Sequence, residues 1–386
     1  MCQTKSVSKG ETAARPSRRA RSGGSAGPHG AGKRVTLKEV AAHLELSPTT
    51  VSLVLNRSPL ADSIPEETQL RVFAAAEELE YRPNHIARSL RSRRTQTVGV
   101  LVPDIDDPYA AGVMSGLEAY MVREGYFYLV ASHQAQPDRI EQSLDVLESR
   151  SVDGMVLLAT ELARAPRLPT VVVSGHQDLP GITNVVIDHE VAARLALEHL
   201  RHLGHRRLAL IKGQRGSTDT EERWNAVLAA AQEYGMVVDD DLVFQLEDDP
   251  SGALTRTEKS YEDGYACGSH LVRAGRPFTA LFAFNDVSAI GATRAFLDAG
   301  LRVPEDVSVV GFDDILSARF HNPGLTTVRQ PLREMGMTAG RILLERLASG
   351  SEEPRVVTIE PELIVRESTG PAPGRRRSPR RAANGA

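Results

Sequence analysis

Residues 36–56, TLKEVAAHLELSPTTVSLVLN, encode two short amphipathic helices joined by a tight turn. Thr36 and Glu39 have the spacing of a capping box, in which each side chain satisfies a backbone N–H that the helix end would otherwise leave unpaired. Leu37, Val40, Ala41 and Leu44 follow as one apolar stripe at helical period. The turn at Glu45 and Leu46 ends on Ser47, an N-cap residue, with Pro48 at the first helical position, where a missing N–H costs nothing. In the second helix Val51, Val54 and Leu55 share a face that packs on the first, which turns Pro48, Thr49, Ser52 and Leu53 outward. This is the pattern of a helix-turn-helix, whose second helix presents its outer face to a DNA groove. Ser63 and Glu66 repeat the capping-box spacing, so a third helix through Leu70, Phe73, Ala76 and Leu79 is expected to close a small all-α head.

The next segment, YRPNHIARSLRSRR at residues 81–94, resembles the hinge of the LacI/GalR family of bacterial transcription regulators, and SPTTVSLVLN resembles that family's recognition helix. The resemblance runs from about Val35 to about Glu367. It implies that the hinge becomes helical when a dimer sits on its operator and that Leu90 wedges into the minor groove, with Asn84 and Ala87 on the same hinge face. Partial unstacking by such a wedge costs roughly a few kcal/mol per step, recovered because the kinked duplex touches more protein. Arg88, Arg91, Arg93 and Arg94 crowd the same segment and suit phosphate contact. The DNA-facing set expected on this basis is Thr36, Ser47, Pro48, Thr49, Thr50, Ser52, Leu53, Asn56, Tyr81, Asn84, Ala87, Arg88, Leu90 and Arg91. Leu53 departs from the polar or basic side chain that relatives often place there, so base reading is expected to lean on threonine hydroxyls and on apolar contact with thymine methyls.

Charge is distributed with direction. Residues 1–34 carry eight Lys/Arg against one acidic residue, and residues 371–386 carry five Arg and none. Residues 35–94 balance eight against eight, so the total of −4 leaves −16 on residues 95–370. An acidic body with basic ends favours presenting the head to a polyanion. Both tails are rich in Gly, Ser, Ala and Pro, too poor in apolar residues to build a core, and disorder is expected at 1–34 and 368–386.

From Thr97 onward short apolar runs alternate with helical stretches: TVGVLV, FYLVAS, GMVLLA, TVVVSG, NVVID, RLALIKG, TALFAF and VSVVGF. Such alternation implies parallel sheets covered on both faces, and some 270 residues of it exceed one ordinary core. The expected fold is therefore an all-α three-helix head (35–82), a hinge helix and linker (83–96), and an α/β core (97–367) of two doubly wound parallel-sheet subdomains. The resemblance makes that core periplasmic-binding-protein-like, with the chain crossing between lobes near Val186–Ala193, Asp313–Arg319 and Thr327–Pro331.

Ligands of open α/β sheets bind beyond the carboxyl ends of the strands. Those ends offer Asp104, Asp106 and Tyr109, then Ser174 and His176, Arg223 at a helix start, Asn285 with Asp286, and Asp313. Asp104 and Asp106 read equally as turn formers, and Asp286 as an N-cap. Positions matching Arg223, Asn285 and Asp313 line the family's effector pocket, and Arg with a carboxylate suits neighbouring hydroxyls. The effector-binding set expected is Asp104, Tyr109, Ser174, Arg223, Asn285 and Asp313. Family aromatic and carboxylate positions are altered at Ala110 and Ser174, Arg223 is followed by Trp224-Asn225 where Gly and an aromatic are commoner, and the acidic stretch LEDDPSGALTRTEKSYEDGY is longer.

Catalysis finds no support: no P-loop or H-E-x-x-H occurs. His199, His202 and His205 invite a metal reading, but Gly204 ends the helix before the third can join, so neither a metal nor a cofactor is expected. The only cysteines, Cys2 and Cys267, make no disulfide framework. With no span of about 18 apolar residues and no signal sequence, the expectation is a cytoplasmic homodimer, without a membrane partner, that binds double-stranded operator DNA and a small-molecule effector, a sugar or related metabolite. The competing expectation, an exported receptor of the periplasmic-binding type, requires a leader that the N-terminus does not show.

Overall fold

The computed structural model describes residues 35–56, 58–81, 94–134, 136–248, 254–350, 353 and 355–374. They fall into two compact units divided between His85 and Ile86.

The first unit is the helical head: α1 (Leu37–Leu44), α2 (Pro48–Leu55), a 3-10 turn (Pro59–Ser63) and α3 (Glu66–Glu78). The first capping box forms, with the Thr36 N–H donating to Glu39 at 2.7 Å and Thr36 Oγ1 accepting from the Glu39 N–H at 3.4 Å. The Ser47 hydroxyl accepts from the Thr50 N–H at 3.0 Å and starts α2. Val40, Ala41, Val51, Val54, Ala61, Val72 and Ala75 make the core. At about 1.5–3 kcal/mol per buried Val this core is small, so caps of about 1 kcal/mol each matter to it.

The third helix departs from expectation. Ser63 does not cap it: its hydroxyl donates to Leu60 O at 2.7 Å inside the 3-10 turn, and α3 begins only after Pro65. The buried face is Val72, Ala75 and Ala76, while Leu70 and Phe73 are exposed. The face turned to α1 and α2 is the one that carries Val72 and Ala75.

The second unit holds two six-stranded sheets. The first runs β2 (Phe127–Ser132), β1 (Thr97–Val102), β3 (Gly154–Leu158), β4 (Thr170–Val173), β5 (Ile182–Ile187) and β11 (Arg355–Ile359), all parallel. The second runs β7 (Val237–Gln245), β6 (Arg207–Lys212), β8 (Ala280–Ala283), β9 (Ser308–Asp313), β10 (Thr326–Arg329) and β12 (Glu362–Ile364), with only the β10–β12 pair antiparallel. The central strands are near-continuous apolar runs, dominated by Val and Leu, because helices cover both faces. The helices are α4 (Pro108–Arg123), α5 (Pro137–Ser149), α6 (His189–His202), α7 (Asp219–Glu233), α8 (Arg256–Ala274), α9 (Asp286–Asp298), α10 (Leu316–Phe320) and α11 (Leu332–Ser349).

The chain passes between the sheets three times: from β5 to α6, from β10 to α11, and from β11 to β12. The first and second lie where expected. The third does not: Asp313–Arg319 stays within the second lobe, and the return runs through Ile359–Glu362 instead. Its flanking strands are short and at least half-exposed, which hides them in the sequence. The Asp188 N–H donates to Ile359 O at 3.2 Å, tying the first crossing to the third.

Two helices of the first lobe, α4 and α11, approach at a pair of glycines. A Cβ on Gly116 would stand 1.9 Å from Arg333 O, and one on Gly336 would stand 1.9 Å from Val113 O. Only hydrogen fits there.

The C-terminal boundary also shifts. Ser368, expected in a disordered tail, is fully buried; its carbonyl accepts from the Val309 N–H and its hydroxyl from the Thr326 N–H, both at 2.8 Å. The Ala372 N–H donates to Leu203 O at 2.8 Å. Composition missed this segment because it adds backbone hydrogen bonds, with few apolar side chains, to an existing lobe. The acidic stretch is itself partly helical: α8 begins inside it, at Arg256, under a Thr255–Glu258 capping box.

Candidate effector pocket and DNA-reading surface

In the head, Pro48 and Thr49 are exposed at the start of α2, and Ser47 and Thr36 are exposed at their caps. Thr50 is half-buried, its hydroxyl 2.8 Å from that of Ser47. Ser52 is half-buried as well, and Leu53, expected to face outward, packs partly against the head core. The Asn56 amide donates to Ser52 O at 2.7 Å and closes α2. Tyr81 is half-buried against the same core. Asn84, Ala87, Arg88, Leu90 and Arg91 lie outside the described residues.

In the core, a cavity of about 500 Å³, including the part open to solvent, lies between the lobes at the carboxyl ends of the strands. Its size suits a small molecule. Tyr109, Arg223, Asn285 and Asp313 all line it. Ser174 sits behind it, bonded to the Tyr109 hydroxyl at 2.6 Å and held at φ 55. Asp104 does not reach it: its carboxylate accepts from the Ile105 N–H at 2.8 Å and, across the lobes, from the Arg256 N–H at 3.1 Å. Asn285 is the N-cap of α9, accepting from the Ser288 N–H at 2.9 Å. The neighbouring Asp286, expected as that cap, is instead fully buried and accepts from Thr327 Oγ1 at 2.6 Å and the Ile315 N–H at 2.9 Å.

Arg223 is the best-buttressed group in the wall. It is buried, its guanidinium carbon 3.6 Å from the Phe312 ring centroid and 4.3 Å from that of Phe284, which adds cation–π attraction. One Nη donates to Phe284 O and the other to Asp219 Oδ2 at 3.3 Å, while Nε is buried without a partner. Burial lowers the Arg223 pKa, and the charges of Asp219 and Asp313 oppose that shift. Burial also raises the carboxyl pKa of Asp107, and that of Asp313 well above its ordinary range, with Arg223 countering the latter. Asp313 accepts from the Gln330 amide at 2.7 Å and carries φ 110, a backbone strain that the surrounding strands must sustain. Gln330 Oε1 is buried and unpartnered.

Sequence reasoning missed Asp107, Gln214, Asp219, Arg256, Phe284 and Gln330 in this wall. The Asp107-Pro108 pair did carry a signal, an N-cap before a proline, and Asp107 does cap α4. Gln330 lies at the second crossing, where a strand end becomes visible only once the topology is known.

A helix-turn-helix head followed by a two-lobed α/β core with a polar cavity between its lobes defines a DNA-binding transcription regulator with an effector-binding core. Residues 36–84 match the lacI family of bacterial regulatory proteins, and residues 197–369 match the periplasmic binding protein-like domain. The chain belongs to the lacI family. It is 33% identical over 341 residues to the HTH-type transcriptional repressor PurR of Aliivibrio salmonicida, covering 86% of this chain and 98% of that one. PurR of Haemophilus influenzae (strain ATCC 51907 / DSM 11121 / KW20 / Rd) is 32% identical over 345 residues, with the same coverage. Among solved structures, the lac repressor dimer bound to operator and the anti-inducer ONPF superposes with a TM-score of 0.76 at 25% identity, over 88% of this chain and 100% of that one. The transcriptional regulator CelR in complex with cellobiose gives 0.62 at 30% identity, over 87% and 100%. Among the described residues no helix is long and apolar enough to cross a membrane.

Proposed function

We propose that this protein is a cytoplasmic, ligand-responsive repressor that binds a pseudo-palindromic operator as a homodimer, its occupancy set by a neutral, hydroxyl-rich molecule of the sugar class. The observation that carries the effector class is the pair of unmet polar atoms in one wall, the Arg223 Nε donor and the Gln330 Oε1 acceptor, beside carboxylates whose pKa values burial raises. A hydroxyl group can both accept and donate, so neighbouring hydroxyls meet the Arg223 donor and the Gln330 acceptor together. The CelR–cellobiose complex supports the reading by kinship.

On DNA, Thr49 and Leu53 read base edges, Arg88 and Arg91 hold phosphates, and Leu90 wedges the minor groove with Asn84 and Ala87 beside it. Two-fold protein symmetry then matches two half-sites. Fluorescence anisotropy on fragments upstream of the protein's own gene, with and without a panel of neutral sugars, tests both halves. Thr49→Ala and Leu53→Ala should change which substituted operators are preferred, and Arg88→Ala should weaken all of them evenly. Equal losses across the panel for all three variants would sink the assignment of base reading, and no preference for any fragment over random DNA would sink the whole proposal.

A further inference from the structure

Beside the cavity, His176, His189 and Asp219 converge from three elements: the loop after β4 in the first lobe, the first residue of α6 at the first crossing, and the first residue of α7 in the second lobe. Among the described residues this is the one group of three His, Cys, Asp or Glu whose ligand atoms all lie within 4.8 Å of one another. His176 Nε2 is 2.7 Å and His189 Nε2 3.3 Å from the same oxygen, Asp219 Oδ1.

Two imidazole nitrogens and one carboxylate oxygen form a donor set for zinc-class ions. We propose that His176, His189 and Asp219 bind one divalent transition-metal ion of that class, joining the two lobes at the edge of the effector cavity.

Binding through Nε2 requires each ring to carry its remaining proton on Nδ1. A tetrahedral ion about 2.0–2.1 Å from each donor sets neighbouring donors about 3.4 Å apart, so His176 must retreat by less than about 1 Å. Its side chain sits on a loop and is 20% exposed, which permits the movement. Arg223, on the other oxygen of Asp219, fixes the carboxylate as a one-oxygen ligand from the second shell. The same cation, and the absence of a partner for His189 Nδ1, weaken the site relative to a structural zinc centre, so affinity on the order of micromolar is expected. Three protein ligands leave a fourth position for water.

The test uses the full chain, stripped by chelator and titrated with Co²⁺, whose visible absorption reports nitrogen and carboxylate ligation. One equivalent should bind, Zn²⁺ should displace it, and His176→Ala and His189→Asn should each weaken binding at least about 10-fold. Circular dichroism of the metal-free variants checks folding, and His176→Gln, which keeps a hydrogen bond to Asp219, replaces the alanine variant if that one fails to fold. Absence of stoichiometric binding tighter than about 1 mM, or titrations that the variants leave unchanged, would overturn the site. The outcome is independent of which organic effector the cavity takes.

Discussion

Gly116→Ala should destabilise the core although alanine is the better helix former. In the interior of α4 the substitution gains about 1 kcal/mol of helix propensity. Against this, the new Cβ falls 1.9 Å from Arg333 O, where ordinary contact begins at 3.4 Å, so α4 and α11 must part by roughly 1.5 Å locally. The obstacle is backbone, which cannot swing aside as a flexible side chain would. The parting loosens a buried seam that includes Leu117, Met121, Met335 and Ala339, and a gap of even 0.5–1 Å forfeits a quarter to a half of each dispersion contact. Overpacking of this kind costs about 3 kcal/mol, leaving a net loss of about 2 kcal/mol, or ~4–8 °C in melting temperature for a domain of this size. Urea unfolding of wild type, Gly116→Ala, Gly336→Ala and the double variant measures it, and the double variant should lose less than the sum because both methyls wedge the same seam. A Gly116→Ala protein as stable as wild type or more so would show that propensity outweighs the close approach and refute the reasoning.

Arg223→Met should weaken the effector by about 1.5–3 kcal/mol, roughly 10- to 150-fold, through loss of a charge-assisted hydrogen bond, and should lower stability by about 3 kcal/mol because Phe284 O and Asp219 each lose a buried partner; calorimetry with any sugar that shifts the wild-type melting temperature checks the first and thermal unfolding the second. Burial pulls His133 from 6.5 down to about 4, so the unfolded chain takes up a proton that the folded one refuses, and stability present above pH 6.5 should fall by about 3 kcal/mol as pH drops to 4. His133→Gln should remove that part of the slope in urea titrations across this range, and an unchanged slope would exclude His133 as its source. Deleting residues 1–33, which carry seven Lys/Arg and one Glu, should make operator binding less steeply salt-dependent without changing sequence preference; equal slopes in an anisotropy salt series would remove the tail from the interface.

Strands buried on both faces were legible because nothing competes with their apolar runs: β1, β3 and β4 are read almost to the residue. Edge strands other than β2 were not. β7 contains Asp239, Asp240 and Asp241, and β11 is largely exposed, so both follow pairing rather than hydrophobic pattern. The head shows the same division: α1 and α2 carry their own caps, whereas α3 takes its start from Pro65 and its buried face from what α1 and α2 leave uncovered. In the pocket, Tyr109, Arg223, Asn285 and Asp313 follow from strand ends and kinship. Asp219 owes its place to His176 across the lobes and Gln330 to Asp313 at the end of the neighbouring strand, and no local pattern encodes either.

The loops that hold the lobes together are the loops that carry the cavity wall. One runs Asp104 to Asp107: Asp104 accepts from the Arg256 N–H and Asp106 O from the Thr257 hydroxyl, while Asp107, next in the chain, faces the cavity. Ser174 O accepts from the Thr218 hydroxyl across the lobes, while its own hydroxyl bonds Tyr109 in the wall, and Thr218 adjoins Asp219. A molecule that draws Tyr109 or Asp219 toward itself therefore moves a strap between the lobes, and a change of lobe angle moves the wall. Affinity for the effector and the equilibrium between lobe angles are then one coupled free energy. An effector shifts that equilibrium only by its difference in affinity between the two angles, so the sign of regulation is set by which angle the Arg223–Asp313 wall fits better.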